Sequence, residues 1–248
     1  MIHYQEYGSG KTLILIHGFC ENISIWDKLI PELSSKFHIV ALDLPGFGNS
    51  PLEEVQSIDD VAKELDTLFQ TLSIQNPVII GHSLGGYVAS SYAHLFGEKL
   101  SGLIFFHSTA HSDSPEKKNQ RNKTIQFLIE NGLEIFNVSF VQNIFSDFAP
   151  GQMKEETKNL LNKTSLETAI TYTEFMRDRN RYTDRIKALN IPKMYIAGKF
   201  DHIIPYDLTT EESKITGSSY ELLEKSGHMG MLEEPLKSIE IIEKFLLP

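Results

Sequence analysis

The stretch Val78-Ile-Ile-Gly-His-Ser-Leu-Gly-Gly86 decides the reading of this chain. An apolar, β-branched run enters Gly81-His82-Ser83-Leu84-Gly85, and a helical pattern, Leu84–Phe96, follows without a break. This is G-x-S-x-G in the strand-turn-helix context of a nucleophile elbow. The turn is tight enough to strain the backbone of Ser83, and glycines two before and two after remove the side chains that would collide there. The hydroxyl is held outward, and the helix that begins at Leu84 aims N–H groups and the positive end of its dipole at any oxyanion formed beside it. The bare pattern also occurs by chance in unrelated chains, so the weight rests on what lies around it.

Short apolar runs recur on both sides of this stretch, at Leu13–His17, His38–Leu42, Leu103–Phe106, Met194–Ala197 and Tyr220–Leu223. They alternate with amphipathic segments, as expected of a mostly parallel sheet with helices on both faces, an α/β fold. Between two of the runs, Ile58, Val61, Leu65, Leu68, Phe69 and Leu72 fall at three- and four-residue spacing after a candidate N-cap, Ser57. A last helix is expected over Pro235–Leu247. From about His111 to Arg185 the strand rhythm stops and helix-like stretches take over, at Asn119–Glu130, Leu133–Phe145 and Leu166–Arg177. The expected organisation is therefore a core formed by residues 1–110 and 186–248, interrupted by a helical insertion at 111–185.

A serine hydroxyl at neutral pH needs a base within reach. Of nine histidines, His228 lies in Glu224-Lys-Ser-Gly-His-Met-Gly-Met-Leu-Glu-Glu-Pro235, between the last strand and the last helix, which places it at the sheet edge where the elbow emerges. His17 and His82 stand at strand ends beside glycines, as packed structural imidazoles would; His107 and His111 begin the insertion, where pocket and surface roles are both open. The acid that orients the base is expected from Ala197-Gly-Lys-Phe-Asp-His-Ile-Ile-Pro205, as Asp201. Ser83, Asp201, His228 then follow the chain order that accompanies this turn. No carboxylate directly follows the preceding strand, where His107-Ser-Thr-Ala110 stands, and Asp113 is the nearest. For the oxyanion, the expected donors are the backbone N–H groups of Leu84 and of Phe19 in His17-Gly-Phe-Cys20. Cys20, the single cysteine, reads as an inert buried thiol. This chemistry calls for no metal and no organic cofactor.

Together these segments resemble the α/β-hydrolase family, in particular its smaller capped members, which include carboxylesterases, lactonases and carbon–carbon bond hydrolases. The resemblance runs through His17-Gly-Phe19, Asp43-Leu-Pro-Gly-Phe-Gly-Asn-Ser50, the elbow, and the Asp201 and His228 loops in order. It implies a helical cap inserted after the sixth strand as a lid, a structural role for Asp43–Ser50, and a Trp26 packed beneath the lid. Ser83 argues against dehalogenases and epoxide hydrolases, whose elbow carries an aspartate, and the missing His-Gly-Gly-Gly pattern argues against bulky or tertiary esters. The resemblance implies cleavage of a small carboxylic ester, thioester or lactone; the alternatives are carbon–carbon or other triad-dependent chemistry, or a ligand-binding receptor on the same fold.

With 41% hydrophobic and 23% charged residues the 248-residue chain has an ordinary globular composition. Its formal charge of -10 disfavours a nucleic-acid backbone or an anionic membrane surface. A lone cysteine and no apolar run of spanning length make the expected setting cytoplasmic, with a small-molecule substrate and no membrane insertion.

Overall fold

The computed structural model describes residues 1–52 and 54–247. The apolar runs do become strands, β2 Thr12–Ile16, β3 His38–Leu42, β4 Val78–His82, β5 Gly102–Phe106, β6 Lys193–Gly198 and β7 Ser219–Leu223. A further strand, β1 Tyr4–Tyr7, pairs antiparallel with β3, in a seven-stranded sheet of order β1-β3-β2-β4-β5-β6-β7 whose other pairs are parallel. β1 reads Tyr-Gln-Glu-Tyr and lies at the edge with its middle residues exposed. It carries none of the apolar continuity that strands β4, β5 and β6 show, which are buried at every position.

Helices α1 Ile30–Leu33, α2 Ile58–Thr71 and α3 Leu84–Phe96 follow in the first half. Ser57 does cap α2, its hydroxyl accepting from the Asp60 N–H. Tyr92 of α3 packs on Phe69 of α2 with ring centres 5.3 Å apart, which seats this pair of helices as one layer on the sheet. Between β5 and β6 come α4 Pro115–Asn131, α5 Leu133–Ile144, α6 Gly151–Leu161, α7 Leu166–Asp178 and α8 Thr183–Ala188. Two of these, α6 and α8, have too few apolar positions in their patterns to be read as helices beforehand. The insertion follows β5, the fifth strand in chain order, and not a sixth, because a single antiparallel strand precedes the parallel set. α4, α5, α6 and α7 pack chiefly on one another, whereas α8 packs on α3 and on α9 Tyr206–Thr216. α10 Gly230–Glu233 and α11 Pro235–Leu246 close the chain.

The parallel sheet sends the ends of β2, β4, β5, β6 and β7 to one edge, where the crevice of an open α/β sheet forms. The helical insertion is tied to that edge at several points. Phe47 packs against Tyr172 with ring centres 4.6 Å apart, Thr168 Oγ1 donates to the Gly46 carbonyl, and Thr164 Oγ1 donates to that of Cys20. No helix among the described residues is long and apolar enough to cross a membrane.

Candidate active site

Ser83 leaves β4 with φ 49° and ψ -113°, a positive φ that a residue with a side chain rarely adopts. The strain persists because the surroundings fix it. A Cβ on Gly81 would meet the Gly85 carbonyl, and one on Gly85 would meet the Ile16 carbonyl of the neighbouring strand. Ser108 Oγ holds the Ser83 carbonyl at 2.7 Å. The Ser83 side chain faces a cavity of about 170 Å³ that His228 also lines. Ser83 Oγ and His228 are not hydrogen-bonded to each other in this arrangement.

His228 is 3% exposed, and its Nδ1 donates to Asp201 Oδ2 at 2.7 Å. Its own backbone N–H donates to the Ile144 carbonyl at the end of α5, so the His228 loop is pinned by the helical insertion. Asp201 is buried three residues past β6. Its Oδ1 accepts from the Ile203 and Ile204 N–H groups at 2.8 and 2.9 Å, which leaves Oδ2 for imidazole donors. Burial pushes the carboxyl up, but the His228 charge and the hydrogen bonds of His107 and His228 outweigh it and hold Asp201 well below the usual carboxylate range. The acid is therefore ionised and an acceptor only.

His107, open in the sequence between pocket and surface, is buried beside this pair. Its Nδ1 donates to the same Asp201 oxygen at 3.2 Å, and burial lowers its pKa to about 4, so it is a neutral donor. Donor atoms of His107, Asp201 and His228 lie within 4.8 Å of one another, a spacing that could hold a metal. An ionised carboxylate between two N–H donors is a proton-sharing group, however, and a metal would have to displace both protons. Asp113, the other candidate acid, is taken by Arg121 and Arg179.

A second acid–histidine pair lies underneath and was not legible in the sequence, since Glu21 stood unremarked in its loop. Glu21 Oε2 accepts from the Gly18 N–H at 2.6 Å and from His82 Nδ1 at 2.9 Å; His82 Nε2 donates to the His228 carbonyl at 2.9 Å. Both nitrogens of His82 donate, so the ring is an imidazolium. Burial opposes that charge, but the Glu21 carboxylate overrides it and raises the His82 pKa; burial likewise raises Glu21, and the His82 charge brings it down below its ordinary value. One buried ion pair thus links the loop after β2, the residue before Ser83 and the His228 loop.

The same loop carries the expected oxyanion donor. His17 accepts the Leu44 N–H on Nε2 and donates from Nδ1 to the Gly18 carbonyl at 2.8 Å, and burial lowers its pKa, so it is neutral. The Gly18 carbonyl and the Phe19 N–H belong to one planar trans peptide and point opposite ways. Holding the carbonyl therefore aims the N–H. Neither the Phe19 N–H nor that of Leu84, first in α3 and without an intrahelical acceptor, is used in a loop hydrogen bond. Asp43 braces the next loop by accepting from Ile23 and Asn49 N–H groups. Trp26 is wholly buried with its ring edge-on to His82 and Phe106, so it underpins the ends of β4 and β5. Burial keeps the Cys20 thiol protonated.

The family model described as "alpha/beta hydrolase fold" matches residues 11–235. The chain belongs to the α/β-hydrolase fold family. Among relatives of this α/β-hydrolase is a pimeloyl-[acyl-carrier protein] methyl ester esterase of Aeromonas hydrophila, 26% identical over 257 residues, with 99% of each chain covered. A thermophilic esterase from Thermogutta terrifontis superposes with a TM-score of 0.93 at 25% identity, covering 99% of this chain and 92% of that one. The esterase EaEST from Exiguobacterium antarcticum gives a TM-score of 0.92 at 21% identity, covering 100% and 96%, a likeness of fold. The expectation of a carboxylic ester hydrolase agrees with these relatives, and nothing in them favours the receptor reading. A larger hollow of about 510 Å³, lined by residues such as Asp66, Gln70 and Lys99, lies away from this α/β-hydrolase's sheet edge and holds none of the candidate residues.

Proposed function

We propose that the protein hydrolyses small carboxylic esters through an acyl-enzyme on Ser83, with His228 as general base and Asp201 as its orienting acid. The observation that carries the reading is the buried Asp201–His228 pair, at 2.7 Å, opening on the same small cavity as a strained, outward-held Ser83. Ser83 Oγ attacks the ester carbonyl carbon as His228 Nε2 takes its proton. The carbonyl oxygen becomes an oxyanion, stabilised by the Phe19 and Leu84 N–H groups. Collapse expels the alcohol, which leaves with the proton from His228. Water, deprotonated by the same nitrogen, then releases the acid and restores Ser83. Ionised Asp201 stabilises the imidazolium formed in each half without itself taking a proton. The tightening of Ser83 against His228 belongs to the complex with substrate, as is common for such pairs.

Residues 111–185 act in this reading as a cap on a core of 1–110 and 186–248, and α4 to α7 form its working part. A cytoplasmic location and a small-molecule substrate belong to the same proposal, supported by the lone cysteine and the modest cavity. The test is Ser83→Ala assayed on short p-nitrophenyl esters, with circular dichroism to verify the fold. The expected fall is at least about 10³-fold, or about 4 kcal/mol in barrier. A folded variant within tenfold of the parent would refute the assignment.

A further inference from the structure

Helix α4 turns Lys117 and Arg121, four residues apart and so on one face, toward the cavity that holds Ser83 and His228. Arg121 is already engaged, its Nε donating to Asp113 Oδ2 at 3.1 Å. The other Asp113 oxygen accepts from Nη1 of the buried Arg179 at 2.7 Å. Arg179 in turn lies 3.8 Å over the ring of Tyr87, another wall of the cavity. One carboxylate thus serves two guanidinium groups, and the Lys117 ammonium makes no hydrogen bond or ion pair among the described residues, its backbone N–H being held by the Ser114 hydroxyl. Three cations against one anion leave an excess of two positive charges at this wall, within a chain of net charge -10.

The remaining acids nearby are committed elsewhere. Glu21 is held by His82 and the Gly18 N–H, and Asp201 by four donors. Lys117 is exposed to water at the mouth, but crowding of its ammonium by the walls, with repulsion from Arg121 and Arg179, lowers its pKa against the more distant pull of the Asp113 and Asp201 carboxylates. A cation so placed is stabilised by an anion brought in by a ligand. A large part of the remaining lining is apolar, formed by Phe19, Phe136, Phe140, Ile144 and Ile203. The complementary ligand has a short apolar stretch and an anionic end.

We propose that Lys117 determines specificity by pairing with an anionic group of the substrate, so that the substrate class is a short-chain ester carrying one free carboxylate. The proposal rests on the ester-hydrolase reading of this cavity. The carboxylate is either on the acyl side, as in a monoester of a dicarboxylic acid, or on the alcohol side, as in an ester of a hydroxy acid; the contact is the same.

The test is kcat/KM for monomethyl adipate, its uncharged dimethyl ester, and butanoyl glycolate against ethyl butanoate, in the parent, Lys117→Met and Lys117→Arg. In the parent, at least one charged ester should be preferred over its neutral partner by about tenfold or more, and the pair that shows it identifies the side bearing the carboxylate. That charged-to-neutral ratio should fall about tenfold in Lys117→Met, chiefly through KM, be largely kept in Lys117→Arg, and shrink in high salt. Equal rates for charged and neutral esters in the parent, or a ratio unchanged by Lys117→Met, would overturn the inference while leaving ester hydrolysis intact. If no ester is cleaved, the ester-hydrolase reading fails, and calorimetric binding of monomethyl adipate to Ser83→Ala still decides this one. Binding that Lys117→Met abolishes supports it; no binding, or binding indifferent to Lys117, overturns it.

Discussion

Replacing Glu21 by glutamine removes the charge from the buried pair under the site while keeping the side chain's shape. Glu21 holds the Gly18 N–H and His82, and His82 holds the His228 carbonyl, so the change reaches both the loop of Gly18 and Phe19 and the loop of His228. Breaking one partner of a buried ion pair costs about 3–5 kcal/mol, which for a chain of this length is a fall in Tm of about 6–20 °C. The sign of its pH dependence follows from the two shifts. The folded pKa of His82 is raised, so its contribution is fully present below histidine's ordinary value of about 6.5 and is lost as pH rises through the raised folded value. That of Glu21 is depressed, so its contribution is present above the ordinary carboxylate value of about 4.3 and is lost as pH falls through the lower folded value. The gap in Tm between parent and Glu21→Gln should thus be widest at about pH 5–6.5 and narrow toward alkaline pH. Displacement of the Gly18–Phe19 peptide should also lower kcat by about 10²–10³-fold, the usual effect of losing one oxyanion donor. Scanning calorimetry from pH 5 to 9 measures the first effect. A gap that stays constant or widens as pH rises would refute the ion pair.

The remaining expectations concern single groups. His107→Phe deletes one donor to Asp201 and should cost about 1.5–3 kcal/mol at pH 9, the range for a bond to a charged acceptor; because burial lowers the folded His107 pKa to about 4, the parent itself loses stability as pH falls below histidine's ordinary value of about 6.5, so thermal melts should show a smaller loss at pH 6 than at pH 9. Cys20 should be unreactive toward Ellman's reagent in the folded protein and titrate as one thiol in denaturant, since burial keeps it protonated and inaccessible. Gly85→Ala forces a Cβ onto the Ile16 carbonyl, so the yield of folded protein should drop, and any soluble fraction should label poorly with a serine-directed phosphonate.

The parallel strands and the elbow were legible because their signals are local. A continuous β-branched run marks a strand buried on both faces, and the glycines around Ser83 leave few other conformations. Asp201 and His228 were legible through position, each in a loop after a strand, and the structure joins them by a hydrogen bond. Other features depend on tertiary context. β1 is an edge strand of polar residues whose partner is supplied by β3. α6 and α8 are short and largely polar, so their periodicity was faint. Glu21 and His107 carry no motif: each gains its role from a partner 61 or 94 residues away, Glu21 from His82 and His107 from Asp201. A hint lay in His107-Ser-Thr, where no carboxylate follows the strand but a histidine stands, a group able to donate to a carboxylate from the next strand.

In the proposed mechanism Ser83 is a nucleophile activated by His228. The most direct measurement of this activation is peptide mass spectrometry after brief exposure to a fluorophosphonate at neutral pH, with His228→Ala in parallel. One phosphonyl adduct is expected, on the peptide containing Ser83, formed rapidly in the parent and at least about 10²-fold more slowly in His228→Ala. A folded parent protein that stays unmodified, or an adduct on another residue with Ser83 intact, would contradict it.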